Sequence, residues 1–370
     1  MNRRKNDFLV RPKRIRCYTQ LSTLPIDLII EILSRLPMNS IAICRLVSKQ
    51  WASILQSSDF TESFLIKSPP RPRLLFTIRY GSKWHLFSAP QPRNFDENFP
   101  VVATDYHKGF SGNWCMQSFQ LVNGFIYLIN RLSLKGKIDR VSVIWNPSTG
   151  QQIPLPDLGV KNSHSKSFFG YDPIEKQFKV LCITSSKEHQ VLTLGTGRKL
   201  SWRKIEYSYP HYPRKKSNGI CINGVLYYRN TNAMIVRFDV RSEEFRFVEI
   251  KMYVEILSLI NYKGKLGVLF PNTDLAQLWV LDDTNRVEWS KHNFVFPDTT
   301  FEAIRATDTG EMFCASSCWR DSLYVSYYDL EKESVKKVKI KGIEDKLSIG
   351  KHHANEFFIF PNHVENVMVL

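Results

Sequence analysis

Apolar positions change their rhythm once along the chain, near residue 74. Before that point Leu28, Ile29, Ile32, Leu33 and Leu36 recur at helical spacing, a broad apolar stripe on one helix. Pro25 suits the first turn of that helix, Asp27 and Glu31 sit early where the dipole favours acids, and Pro37 stops it. Asn39 or Ser40 is a ready N-cap for a second helix, running to Gln56, whose Ile43, Val47, Trp51 and Ile54 share one face. A module of about 40 residues rarely buries two such stripes within itself. The spare surface, with Trp51 as a large anchor, therefore predicts a partner polypeptide or a packed neighbour.

From Leu74 onward the pattern is one of β-rich runs separated by polar turns. Pro69, Pro70 and Pro72 make residues 67–73 a stiff linker between the two parts. One family of turns starts at Asn146, Gly195, Asp239, Asp282 and Asp329, at intervals of 49, 44, 43 and 47 residues. Six or seven residues beyond each lies an apolar residue on the return strand: Ile153, Trp202, Phe245, Trp289 and Val335. A weaker copy begins near Ser88. A second family alternates with the first at Asn123-Gly124, Asp172-Pro173, Asn223-Gly224, Lys263-Gly264 and Thr309-Gly310. Two hairpins per repeat means four strands per repeat, and a period of about 40–50 residues is that of a radial β-propeller. A β-sandwich also has frequent short strands, but not such even spacing. The expected fold is mainly β with a small α N-terminal module: about six four-stranded propeller-like repeats, the C-terminus available to complete the first.

Two segments of the chain resemble known families. Leu24-Pro25, Asp27-Leu28, Glu31-Ile32-Leu33, Arg35-Leu36-Pro37, Ser40-Ile41, Arg45, Val47-Ser48-Lys49, Trp51 and Phe60 match the F-box, the adaptor-binding module of SCF-type ubiquitin ligases. Ile43 departs from that pattern, which usually has a basic residue there. The segments WNPSTGQQIPLP, FGYDPIEKQFKVL, LSWRKIE, NGVLYY, FDVRSEEFRFVEI, LWVLDDTNRVEWSK and the closing FPNHVENVMVL resemble the F-box-associated domain of plant F-box proteins. Neither a Trp-Asp pair nor a Gly-Gly pair supports a WD40 or Kelch blade. The expected order is a basic tail (1–20), an F-box (21–66), the linker (67–73) and an F-box-associated domain (74–370). The resemblance implies a Skp-family adaptor, through it a cullin, and an unknown target protein held by the propeller. It implies adaptor contacts at Leu24, Pro25, Ile29, Ile32, Leu33, Leu36, Val47 and Trp51, and no catalytic residue in this chain.

Composition narrows the alternatives. The formal net charge is +16, and residues 1–20 set Arg3, Arg4, Lys5, Arg11, Lys13, Arg14 and Arg16 against Asp7 alone. Such a tail reads as a solvated end or a nuclear-import signal. No apolar run reaches the length of a membrane span, no signal peptide is evident, and seven unpaired-looking cysteines suit a reducing compartment. Nucleus or cytoplasm is the expected location. No nucleophile elbow, metalloprotease helix or P-loop is present, and no cofactor is expected. Cys314 and Cys318 lack the further ligands zinc needs and read as core; His352-His353 and Asp282-Asp283 read as local packing and a turn. In VKKVKIK, Val338 and Ile340 alternate with Lys337, Lys339 and Lys341, so the lysines line one exposed side and protect a strand edge. Arg214-Lys215-Lys216 can steer acidic partners. A nucleic-acid binder is the alternative reading, with the helix pair as a helix-turn-helix, but the helix from Ser40 offers only Arg45 and Lys49 to a duplex.

Overall fold

This is a computed structural model, and it describes residues 24–36, 38–67, 72–80, 83–92, 100–105, 115–134, 137–158, 165–195, 197, 199–207, 209–215, 217–250, 258–270, 276–283, 287–294, 303–315, 323–343, 347 and 356–370. The chain divides into two compact units, Met1–Ser68 and Pro69–Leu370.

The first unit holds four short helices: α1 (Ile26–Leu33), α2 (Met38–Cys44), α3 (Lys49–Ile54) and α4 (Ser58–Lys67). Pro25 stands at the N-cap of α1 rather than in its first turn, and its carbonyl accepts from the amides of Leu28 and Ile29. The expected single second helix is two helices. Residues 45–47 form a turn, and the Ser48 hydroxyl then accepts from the Trp51 amide at 3.1 Å and starts α3 afresh. A side chain that satisfies an orphan amide in this way competes with continuing the helix through it. Val47 therefore lies in the turn and not on the face shared by Trp51 and Ile54.

In the second unit the strands run in chain order through six sheets. They are β1 (Arg73–Tyr80), β2 (Lys83–Pro90), β3 (Val101–Val102) and β4 (Thr104–Asp105); β5 (Cys115–Val122), β6 (Phe125–Leu134), β7 (Lys137–Trp145) and β8 (Gln152–Pro154); β9 (Ser165–Asp172), β10 (Gln177–Thr184), β11 (His189–Thr193) and β12 (Arg203–Lys204). There follow β13 (Ile220–Ile222), β14 (Val225–Arg229), β15 (Ile235–Asp239) and β16 (Phe245–Val248); β17 (Ser258–Tyr262), β18 (Lys265–Phe270), β19 (Ala276–Asp283) and β20 (Glu288–Phe294); β21 (Ala303–Ala306), β22 (Met312–Ala315), β23 (Leu323–Asp329), β24 (Ser334–Lys341) and finally β25 (Glu356–His363).

Apart from one short parallel pairing at the outer edge of the last sheet, neighbouring strands are antiparallel, and the first sheet is completed by the last strand, in the order β25-β1-β2-β4. The end strands β25, β5, β9, β13, β17 and β21 touch in a closed ring. This is a six-bladed propeller of four-stranded sheets, with those six strands innermost. Because both faces of a blade are covered, alternate residues of one strand enter different cores. On β10, Phe178 and Val180 pack towards the second sheet, whereas Leu181 and Ile183 pack towards the fourth. On β1, Leu74, Phe76 and Ile78 join the core shared with the last sheet and Leu75 the one shared with the second.

Two particulars differ from expectation. Ser88 lies inside β2 and not at a turn, because residues 91–100 intervene before the short outer strands β3 and β4. The lysine-bearing edge of β24 is also not left open at its end: Val101 and Val102 of β3 pair with Ile340 and Lys341 in parallel, making the last sheet five-stranded. The alternation is largely as expected, with Val338 and Ile340 buried and Lys337 and Lys341 exposed, but Lys339 is half-buried beside the Tyr324 ring. Lys67 ends α4 and Arg73 opens β1, so both elements reach into the expected linker; Pro69 and Pro70 lie outside the described residues, as do the basic tail, Lys216, Cys318 and His352-His353.

Candidate docking surfaces

The helical unit is organised by two rows on α1. Ile29 and Leu33, four residues apart, are 3% and 2% exposed and form its core with Ile41, Leu55, Phe60 and Phe64. Leu28 and Ile32, one row further round the helix, are 49% and 53% exposed. A helix apolar on more than its core-facing side is one whose second row is meant for burial elsewhere. Ile26, Ile43, Leu46, Val47 and Ile66 add to the exposed apolar surface of this unit.

What keeps the rows in place is the packing of α4 against α1. The Phe60 and Phe64 rings lie 5.8 Å apart. The Phe60 amide donates to the Ser57 hydroxyl at 3.2 Å, which starts α4. At the other end Lys67 donates to the Glu31 carboxylate, to which Arg35 also donates at 2.5 Å. Hydrogen bonding from Lys67, then from Arg35, holds the Glu31 carboxyl below the usual carboxylate range. All three groups are in contact with water, so the cluster orients the helices more than it stabilises them.

Of the eight residues expected to meet an adaptor, Pro25, Ile32 and Val47 are exposed, and Leu24, Leu36 and Trp51 are half-buried. Ile29 and Leu33 are buried inside their own unit, against the expectation, because the apolar stripe is wide enough for two rows. Leu28, in the stripe but outside those eight, is exposed beside Ile32, as are Ile26 and Leu46, and a helical wheel of α1 does not say which row a unit keeps for itself. The helix-turn-helix alternative loses its recognition helix, since α2 and α3 are separate and have seven and six residues.

The propeller offers a different kind of site. The innermost strands line an axial cavity of about 410 Å³, walled by Phe119–Gly124, Asn218–Cys221, Leu259–Asn261, Arg305–Ala306 and Phe360–Asn362. Turn residues Asn123, Gly124 and Asp308, with Val364 just beyond β25, line its end at the rim that carries the β5–β6 and β21–β22 hairpins. Residues 364–370 run along that same rim. The Asn366 amide group donates to the Asn123 carbonyl at 2.8 Å, Asn146 donates to the carbonyls of Asn366 and Met368 at 3.0 Å each, and Gln151 donates to the Leu370 carbonyl at 2.9 Å.

Other candidates resolve as packing. The Cys314 thiol is buried in the core between the last two sheets, and that burial pushes its pKa up to about 12. Among the described residues no three His, Cys, Asp or Glu side chains gather as a metal site requires, and no helix is long and apolar enough to cross a membrane.

Comparison with known proteins agrees with this architecture. A family model described as the F-box associated beta propeller domain matches residues 73–364, and one described as the F-box domain matches residues 21–63. The chain belongs to the F-box proteins with an F-box-associated propeller. A putative F-box protein of Arabidopsis thaliana is 50% identical over all of this chain and 82% of its own length. The F-box protein DOR of Arabidopsis thaliana is 40% identical, with both chains covered in full. A further Arabidopsis thaliana F-box protein is 39% identical over all of this chain and 95% of its own. The solved structure of YCF48 bound to D1 peptide aligns with 60% of this chain and 66% of its own at a TM-score of 0.38 and 11% identity, too loose a likeness to bear on the fold. The F-box, the propeller and these relatives together support the role of a target receptor.

Proposed function

We propose that the chain is the substrate-recognition subunit of an SCF-type ubiquitin ligase, acting in the nucleus or cytoplasm. Its helical unit docks on a Skp-family adaptor and through it on a cullin, and its propeller holds a target protein. Ubiquitin transfer is then accelerated because target lysines are kept near the charged conjugating enzyme; effective molarity, not side-chain chemistry, is this chain's contribution. The observation that carries the reading is the second apolar row of α1, with Leu28 and Ile32 about half exposed in a segment that matches the F-box.

The expected adaptor contacts are thereby revised. Ile32, Val47, Trp51, Leu36, Pro25 and Leu24 remain, Leu28 joins them, and Ile29 and Leu33 support from beneath. Apolar anchors of this kind are worth about 2 kcal/mol or more when lost. The double substitution Leu28→Asp with Ile32→Asp should abolish co-purification of the adaptor and leave circular dichroism and thermal unfolding of the propeller unchanged. Retention of the adaptor at wild-type yield rejects the docking assignment. Substituting Leu33 instead would confuse docking with folding, because that side chain is core.

A further inference from the structure

Among the described residues that line the axial cavity, Arg305 is the one cationic side chain. Its Nε donates to the Ile359 carbonyl at 3.1 Å, and its Cζ lies 4.2 Å from the centre of the Phe360 ring. These two contacts fix the plane of the guanidinium without neutralising it. Among the described residues no carboxylate pairs with it; the side chain is half-buried, and its other N–H groups are left to the cavity and its solvent. Asp308 lies at the lip of the cavity and is exposed; its backbone amide donates to the Asn362 side chain at 3.2 Å. Burial pushes the Arg305 pKa down to about 10, which still leaves it charged at neutral pH.

A cation held in semi-dry surroundings with donors to spare is costly unless an anion completes it. A guanidinium with one edge committed still presents a planar pair of N–H groups, the geometry that matches a carboxylate. The charge balance favours a monoanion: the lining carries one arginine and, at the lip, one exposed aspartate, which leaves little to hold a phosphate dianion. The cavity is narrow, walled by the innermost strands, and has turn residues at the hairpin rim, so it suits a chain end or a single side chain entering from there.

We propose that the axial cavity binds one carboxylate of the target polypeptide, with Arg305 as its receptor. This rests on the receptor reading above and specifies the chemistry its propeller recognises. A carboxylate can come from a free C-terminus or from an aspartate or glutamate side chain, and the test separates the two.

Full-length protein is used to capture peptides from a random synthetic decapeptide library with free C-termini, and the enriched peptides are remade as C-terminal amides. Wild type should enrich a related set, and Arg305→Gln should bind that set at least tenfold more weakly. Loss of binding on amidation assigns the chain end; binding that survives amidation but fails when an internal Asp or Glu is made Asn or Gln assigns the side chain. Arg305→Lys, which keeps the charge without the fork, should retain part of the affinity, and its thermal unfolding together with that of Arg305→Gln reports any loss of fold. Absence of an enriched set, or a set bound equally by folded Arg305→Gln, overturns the proposal. The Leu28→Asp, Ile32→Asp protein should bind the same peptides while failing to hold the adaptor, so the two readings fail separately.

Discussion

Glu243 has φ 62°, in the left-handed region that a residue with a side chain enters at a cost of roughly 1–2 kcal/mol. Its carboxylate explains why the turn after β15 tolerates this. It accepts from Lys179 of β10, in the preceding blade, at 2.8 Å, and also from Arg203 of β12. Lys179 is almost fully buried and its other contact is the Arg241 carbonyl at 3.3 Å. Glu243→Gln keeps the shape but strands the ammonium, and breaking such a pair costs about 3 kcal/mol. The urea midpoint should fall accordingly, with an unchanged denaturant slope. Glu243→Gly, although it relieves the backbone, should also be destabilised. Two buried histidines add a pH dependence. His189 Nδ1 lies 2.8 Å from the Lys187 carbonyl and so carries its proton there, while Nε2 faces His211 Nε2 at 3.4 Å. Burial, then the nearby His211, lowers the His189 pKa to about 4, and burial, then Arg73, lowers that of His363 to about 3. Between pH 6.5 and about 4 the unfolded chain binds a proton that the folded His189 refuses, so stability is intact above that window and is lost as pH falls through it. For His189 alone the loss by pH 4 is about 3 kcal/mol. Urea midpoints at pH 7 and pH 5 should differ for wild type and differ by less for His189→Gln, in which His363 still contributes its share.

Elements differ in how plainly the sequence announced them. The turns at Asn123-Gly124, Asp172-Pro173, Asn223-Gly224 and Lys263-Gly264 each lie between an innermost strand and its neighbour, and the three with glycine supply the left-handed residues the reversal needs: Asn123 and Gly124 have φ 46° and 82°. The outer-strand turns at Asn146, Asp239 and Asp329 are legible for a different reason, since each side chain accepts from amides two and three residues on. Local chemistry sets both, and local sequence records it. What stayed hidden depends on residues far apart. The pairing of β3 with β24 joins residues more than two hundred positions apart, and two-residue strands leave no periodicity to read. The division of α1 into a kept row and an offered row depends on where Phe60 and Phe64 pack, which α1 does not encode. The C-terminal strap is a further case, in which an ordinary-looking tail is held by amide side chains of the second blade. Gly124 makes room for it: a Cβ there would lie 2.7 Å from both the Asn366 Cβ and the Val364 carbonyl oxygen. Gly124→Ala should therefore lift the strap as well as strain the turn, and carboxypeptidase should remove residues 366–370 faster than from wild type.

At the level of the whole molecule, stability turns on how the ring is closed. Four sheets are built wholly from consecutive strands and the last adds only the short β3 at its outer edge, but the first borrows its innermost strand from the other end of the chain, with Phe76 opposite Ile359 and Ile78 opposite Phe357. Residues of β25 enter the cores on both sides of that blade, Ile359 with the last sheet and Phe360 with the second. A ring whose six interfaces are each made by two blades has no terminal blade to fray, provided this one strand is present; without it β1 becomes an open edge with buried-type side chains. Deleting 356–370 should thus do far more harm than its share of the chain, giving a broadened unfolding transition and aggregates on size exclusion. Deleting only 364–370 leaves β25 in place and should lower the midpoint while keeping a monomer with one sharp transition. The same pair of truncations bears on the axial cavity, because Ile359 and Phe360 are what hold the Arg305 guanidinium in plane. If the chain ending at 355 unfolded as sharply and at the same temperature as the one ending at 363, closure by β25 would not be what makes the propeller cooperative.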